Sequence, residues 1–330
     1  MPQGQLSQVL REVGVAERHD LLVGPQTMDD AGVVRLGAAG ADGMCLVQTV
    51  DYFPPVVDDP YLYGAVAAAN SISDVYAMGG QPLSALNLAG FPPGFSDEWM
   101  MAIFRGGFDK VREAGAVLAG GHTVRSEEPQ FGFSVTGLIH EKDVIDNEGA
   151  QVGDVLYLTK PLGMGSITTA NRKGLLTPED LVKAGKVMAM LNRDGAKAMV
   201  AAGAHAATDI TGFGLVGHAY NIAKASNVTL RFETNDLPLF PGALAFAKDG
   251  VVSGGSSRGR VAIGEHVSTA AGVEAAIADI LFDAETSGGL LISIPKSAEK
   301  HLQDELTKLE VMVRRVGHVT SPGAHRIELT

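Results

Sequence analysis

Apolar residues Leu6, Val9, Leu10 and Val13 recur at i, i+3, i+4 and i+7, a pattern that predicts a short amphipathic helix. Further along, the pattern changes to compact apolar runs. Residues 44–50, 83–89, 131–139, 155–159, 228–232 and 289–294 read as strands. Helical stretches lie between them. Residues 62–78 are rich in Ala and stop at Gly79-Gly80, a common helix C-terminus. The stretch 96–115 opens with Ser96 as a candidate N-cap and places Asp97 and Glu98 in the first turn. The stretch 177–203 opens with Thr177 as cap and Pro178 at the first helical position. Strands alternating with helices predict an α/β protein of α+β type. The charged, turn-rich segment 141–154 marks a boundary, giving two expected domains, 1–150 and 151–330.

Composition narrows the setting. With 330 residues the chain can bury two cores, and 45% apolar against 19% charged residues is ordinary for a globular protein. No apolar run reaches the ~18 residues a membrane span needs, and the first residues lack a basic and then apolar leader. The single cysteine, Cys45, excludes an internal disulfide framework and fits a reducing, cytoplasmic setting. Within "MCLVQTV" it reads as a small core residue. A net charge of −12 argues against a nucleic-acid partner but leaves phosphate substrates open where cations mediate the contact.

Several motifs match only on paper. "GFGLVG" (212–217) has the G-x-G-x-x-G spacing, but no convincing apolar strand leads into it. "GSSRG" (255–259) lacks the strand–turn–helix setting of a nucleophile elbow. His19, His122, His140, His205 and His218 show no mutual metal spacing, and each reads as a surface or hydrogen-bonded histidine. What remains is a set of aspartates among small residues at strand ends and turns: Asp29, Asp30, Asp51, Asp74 and Asp209. Any one alone would be an ordinary cap. Two carboxylates about 5 Å apart repel by roughly 3 kcal/mol at an effective dielectric near 20. Few Lys or Arg lie near them in sequence, so convergence would call for divalent cations, Mg²⁺ being the usual partner of carboxylates and phosphates. Two glycine-rich stretches, 118–124 and 285–294, offer backbone N–H groups to an anion; the first is read as an apolar run breaking at Gly120-Gly121.

The segments "TVDYFPPVVDDPYLYGAVAAANSISDVYAMGGQPLSALNLAGFP", "LAGGHTVRSEEPQFGFSVTGLI", "TKPLGMGS", "TDITGFGLVGH" and "DAETSGGLLISIP" together resemble the selenophosphate synthetases, relatives of aminoimidazole ribonucleotide synthetase. The resemblance covers essentially the whole chain. It implies a two-domain fold, a homodimer whose N-terminal strands build a shared barrel, and conversion of ATP, selenide and water to selenophosphate, AMP and phosphate. By the same resemblance Asp30, Asp74 and Asp209 are expected as Mg²⁺ ligands. Thr27, Met28, Asp29, Asp51 and Asp74 are expected to contact nucleotide, and Gly121, His122 and Thr123 to reach the ATP of a partner subunit. A K⁺ ion is also expected.

One departure matters. The family's catalytic Cys or selenocysteine, with a Lys three residues later, is expected upstream of Met1, a selenocysteine codon being normally read as stop. In the form given the chain is therefore expected to bind Mg²⁺ and ATP but to transfer phosphoryl to selenide weakly or not at all. The competing readings are another ATP-dependent kinase or synthetase of the same superfamily, and a nucleotide-binding pseudoenzyme.

Overall fold

The computed structural model describes residues 19–24 and 28–330. The helix expected around Leu6–Val13 and the expected nucleotide contact Thr27 lie outside the described residues.

Six strands make the first sheet: β1 (Leu21–Val23), β2 (Gly32–Arg35), β3 (Met44–Phe53), β4 (Gln81–Phe91), β5 (Val117–Arg125) and β6 (Gln130–His140). Their order is β1-β2-β3-β6-β4-β5, antiparallel throughout except for the parallel pair β4–β5 at one edge. One face is covered by α1 (Pro60–Ala77) and α2 (Asp97–Glu113). The cap expected at Ser96 is present, accepting from Trp99 N at 3.4 Å, and α1 is capped by Asp59, which accepts from Leu62 N at 2.7 Å. These two helices touch backbone to backbone. A Cβ on Gly64 would lie 1.9 Å from the Ile103 carbonyl oxygen, and one on Gly106 1.9 Å from that of Tyr61. Under them Tyr63, Phe131 and Phe133 are fully buried, Phe131 meeting Phe133 edge-on at 5.4 Å.

The second sheet has seven strands: β7 (Val155–Leu158), β8 (Ala206–Asp209), β9 (Thr229–Phe232), β10 (Val267–Thr269), β11 (Leu290–Ile294), β12 (Arg314–Thr320) and β13 (Ile327–Leu329). Their order is β10-β13-β9-β12-β7-β11-β8. Every residue of β7, β8 and β11 is buried, which is why β7 and β11 read as unbroken apolar runs. Eight further helices accompany this half: α3 (Met164–Arg172), α4 (Pro178–Met188), α5 (Arg193–Ala201), α6 (Gly214–Ala225), α7 (Ala243–Lys248), α8 (Gly254–Ile263), α9 (Ala275–Phe282) and α10 (Glu299–Lys308). Segregated helices on two largely antiparallel sheets give the expected α+β class.

Two sequence expectations are corrected and a third is refined. The stretch 177–203 is two helices, α4 and α5. Asn192 lies at the break, its buried amide donating to Ser73 Oγ at 2.8 Å and to the Gly288 carbonyl at 2.9 Å, so tertiary bonds outcompete helix continuation. The run 118–124 does not break at its double glycine. It continues as β5 through a bulge opposite Ala85 and Leu86, with Gly120 at φ +138°, a conformation open to glycine. A strand does lead into "GFGLVG", since β8 precedes α6. Its sequence "AATD" is small and polar instead of apolar, and it is an edge strand paired antiparallel, so the setting is still not a βαβ dinucleotide site.

Candidate active site

Strand and helix periodicity bring the first carboxylates together. On β3, Thr49 and Asp51 are two residues apart and so share the face turned toward the helices, while Val50 and Tyr52 point away and are exposed. On α1, Asn70 and Asp74 are four residues apart and share one helix face. Two residues of strand and four of helix both span about 6–7 Å, so the pairs match. Asn70 Nδ2 donates to Asp51 Oδ2, and Thr49 Oγ1 donates to Asp74 Oδ2.

Asp30 comes from the loop ahead of β2 and Asp209 from the end of β8, so one carboxylate arrives from each half of the chain. Thr208 Oγ1 donates to Asp30 Oδ1 at 2.8 Å, across 178 residues of sequence. Ser73 hydrogen-bonds Asp209 and in turn receives the Asn192 amide. Asp29 takes a different part: its Oδ1 accepts from Asn147 N at 2.8 Å. Met28 sits at φ +55°, left-handed for a non-glycine residue, with its carbonyl accepting from Asn147 Nδ2 and Asn221 Nδ2, each at 3.3 Å. An open cleft of ≈ 530 Å³, lined by Asp29, Asp30, Gln48, Thr49 and Ser134 among others, leads to the aspartates.

Burial and mutual repulsion dominate the electrostatics. Burial, then the nearby Asp209, holds Asp30 well above the ordinary carboxylate range. Asp74 is raised by burial and then by Asp209 and Asp30. Burial lifts Asp209 to about 6, with Ser73 opposing and Asp51 adding. Asp51 is raised by burial against the Asn70 bond. The cation whose field reaches Asp209 is Lys160, whose own pKa burial lowers to about 7. Its Nζ donates to the Met190 and Ser287 carbonyls at 2.7 and 2.8 Å.

Among the described residues no three His, Cys, Asp or Glu side chains already close around one point as metal ligands. The group is open. Two of its buried oxygens, Asp30 Oδ2 and Asp209 Oδ2, have no hydrogen-bond partner. Orphaned acceptors on repelling carboxylates are what a hard divalent cation relieves, so the donor set fits Mg²⁺.

Residues 28–139 match the family model described as AIR synthase related protein, N-terminal domain, and residues 151–330 match its C-terminal domain. The sequence is 46% identical over 303 residues to the selenide, water dikinase of Caldanaerobacter subterraneus subsp. tengcongensis, covering 92% of this chain and 86% of that one. The chain belongs to the selenide, water dikinase family. The selenide, water dikinase of Clostridioides difficile is 41% identical over 305 residues, with 92% and 86% covered. Among solved structures the fold is shared with thiamine monophosphate kinase of Aquifex aeolicus (TM-score 0.69, 18% identity, 99% of this chain and 96% of that one). It is shared too with a hydrogenase maturation protein HypE in complex with ATP (TM-score 0.68, 18% identity, 98% and 87% covered).

Within this member of the selenide, water dikinase family, Asp30, Asp51, Asp74 and Asp209 form one electrostatic group, with Met28 and Asp29 beside it. Gly121, His122 and Thr123 do not join it. They lie exposed on β5, at the sheet edge three strands from β3. Cys45 is fully buried on β3, as expected of a core residue. His218, expected as a surface or hydrogen-bonded histidine, is hydrogen-bonded to Thr208 and Thr211. Missing from the sequence reading are Thr49, Asn70, Ser73 and Thr208, which hydrogen-bond the carboxylates, together with Asn192, which bonds Ser73, and Lys160, whose field reaches Asp209. Of these only the i, i+4 pair Asn70–Asp74 left a local trace.

Proposed function

We propose that the protein converts ATP, selenide and water to selenophosphate, AMP and orthophosphate, with the aspartate group as its metal and nucleotide-phosphate site. The observation that carries this reading is the meeting of Asp30, Asp51, Asp74 and Asp209 from both halves of the chain, with two carboxylate oxygens unpartnered. Asp30, Asp74 and Asp209 would hold Mg²⁺, which when bound neutralises polyphosphate charge and stabilises charge developing on the transferring phosphoryl group. The chain's own contribution is to keep these acceptor-only side chains oriented. Thr49, Ser73 and Thr208 hydrogen-bond Asp74, Asp209 and Asp30 in turn, so each carboxylate is held through a hydroxyl while Asp30 and Asp209 keep one oxygen unpartnered. Met28, Asp29 and Asp51 are assigned to nucleotide contact beside that site. Residues Gly121–Thr123, on an exposed strand edge, are assigned to the site of a second copy, which makes the working form a homodimer.

The test is ³¹P NMR of ATP with Mg²⁺ and selenide, run on the chain joined to an N-terminal segment that carries Cys or selenocysteine and, three residues later, Lys. Selenophosphate with AMP and orthophosphate in equal amounts supports the reading. Accumulation of ADP, or turnover indifferent to selenide, overturns it. The nucleotide half is read on the chain itself: Mg²⁺-dependent binding of a non-hydrolysable ATP analogue should be lost in Asp30→Asn and Asp209→Asn.

A further inference from the structure

His218 lies on α6, is 6% exposed and contacts no aspartate of the site. Its hydrogen bonds nonetheless run toward one. The Thr211 backbone N–H donates to His218 Nε2 at 3.2 Å. The Thr211 hydroxyl also lies 3.1 Å from Nε2 and can donate to it; a backbone amide cannot accept in return, so with Nε2 as acceptor the neutral ring holds its proton on Nδ1. Nδ1 is 3.4 Å from Thr208 Oγ1. Once that oxygen accepts from the ring, its single proton is free to go outward, and Asp30 Oδ1 is 2.8 Å away. Thr208 also lies 3.1 Å from the Asp209 carbonyl, so an unsupported hydroxyl has two acceptors to choose between. Burial keeps the imidazole neutral, lowering its pKa to about 4.

We propose that His218 is a positioning residue: through Thr208 it fixes Asp30 Oδ1 and so turns the unpartnered Oδ2 toward a divalent cation. The proposal rests on the reading of Asp30 as a metal ligand. A direct ligand can be chosen for affinity, but its second oxygen points correctly only when the first is held, and the chain of bonds from Thr211 through His218 and Thr208 supplies that hold. No proton needs to move along it. The direction is set by a backbone amide that cannot reverse.

The test measures Mn²⁺ affinity, by the EPR signal of free Mn²⁺, on the full chain with a β,γ-methylene ATP analogue present. Two pairs of variants separate position from bulk. Thr208→Val removes the hydroxyl at near-constant volume, whereas Thr208→Ser keeps it. His218→Asn places an amide donor near the former Nδ1, whereas His218→Gln reaches the former Nε2 and leaves Thr208 unsupported. Thr208→Val and His218→Gln are expected to weaken Mn²⁺ binding about ten-fold or more, the range seen when outer partners of metal ligands are removed. Thr208→Ser and His218→Asn are expected to stay within about three-fold of wild type, a split that general loosening of the core would not produce. Should Asp30→Asn abolish Mn²⁺ binding while Thr208→Val and His218→Gln leave it unchanged, the positioning role is wrong and the metal site stands. Unchanged Mn²⁺ binding in Asp30→Asn would remove the metal reading itself, and the inference with it.

Discussion

At the scale of single residues, the aspartate group works against stability unless a cation is present. Asp209 is 1% exposed and its pKa rises from 3.8 to about 6. A folded-state pKa above the unfolded one means that the native protein binds the proton more tightly. The associated stability is complete below pH 3.8 and is lost as the pH climbs through about 6. At pH 7.5 without divalent cations, burying the charged Asp209 therefore costs about 2–3 kcal/mol, since a tenfold change in proton affinity is worth about 1.4 kcal/mol. Asp209→Asn should raise the thermal stability of the EDTA-treated protein by about that amount at pH 7.5 and change it little near pH 4. Equal unfolding midpoints for both proteins at pH 7.5 would refute it. With Mg²⁺ and nucleotide the order should reverse, because only the wild type gains binding energy on the folded side. The same trade explains why Asp30 Oδ2 and Asp209 Oδ2 are left without protein donors. A donor there would stabilise the empty protein and compete with the metal.

At the scale of elements, helix ends do much of the assembly. The buried Glu285 receives the Gly163 and Met164 N–H groups at 2.5 and 2.9 Å, closing the N-terminus of α3 with both oxygens. Burial raises its pKa to about 8 although both N–H bonds pull it down. Its stabilising contribution is thus greatest below pH 4.5 and declines through pH 8. Glu285→Gln keeps one acceptor and turns a donor toward the other N–H, so it should cost about 1–2 kcal/mol at pH 5 by chemical denaturation. The wild type loses about 4 kcal/mol over the interval up to pH 8, so the deficit should vanish and then reverse as the pH rises. Elements of this kind were partly legible in the sequence. Ser96, Thr177 and the apolar runs of β3, β6, β7 and β11 announce themselves because their causes are local: a cap within three residues, a strand buried on one face or two. The break between α4 and α5 is not local. It depends on Asn192 finding Ser73 119 residues earlier and Gly288 96 residues later. Thr208, whose partner Asp30 is 178 residues away, was invisible for the same reason. The aspartates could be listed from residue type and context, but their convergence, and the layer that orients them, is tertiary.

At the scale of the whole molecule, the first sheet is unfinished. Its helix-covered face is packed, whereas the other shows Val50, Tyr52, Leu86, Val117 and Val124, each at least 47% exposed. Its nine-residue edge strand β5 pairs, among the described residues, with β4 alone. A long exposed edge with apolar neighbours is a template on which another chain can pair. If a second copy covers it, Gly121–Thr123 of each protomer serve the aspartates of the other. Sedimentation should then give a particle of twice the 34.4 kDa chain mass, and Val117→Asp with Val124→Asp should yield folded monomers that no longer bind the non-hydrolysable ATP analogue. The sharper test exploits division of labour between subunits. Asp30→Asn and His122→Ala each disable a different half of every site in their own homodimers. In a mixed dimer one site collects both defects, and the other pairs the intact Asp30 of one chain with the intact His122 of the other. Co-expression of the two inactive variants, each joined to the Cys-or-selenocysteine and Lys segment used in the ³¹P test, with half the dimers mixed and one of two sites intact in each, should restore about a quarter of the nucleotide turnover of the extended wild type. Turnover that stays at background while sedimentation shows mixed dimers would mean that each chain builds its site alone. The exposed β5 edge would then need another explanation.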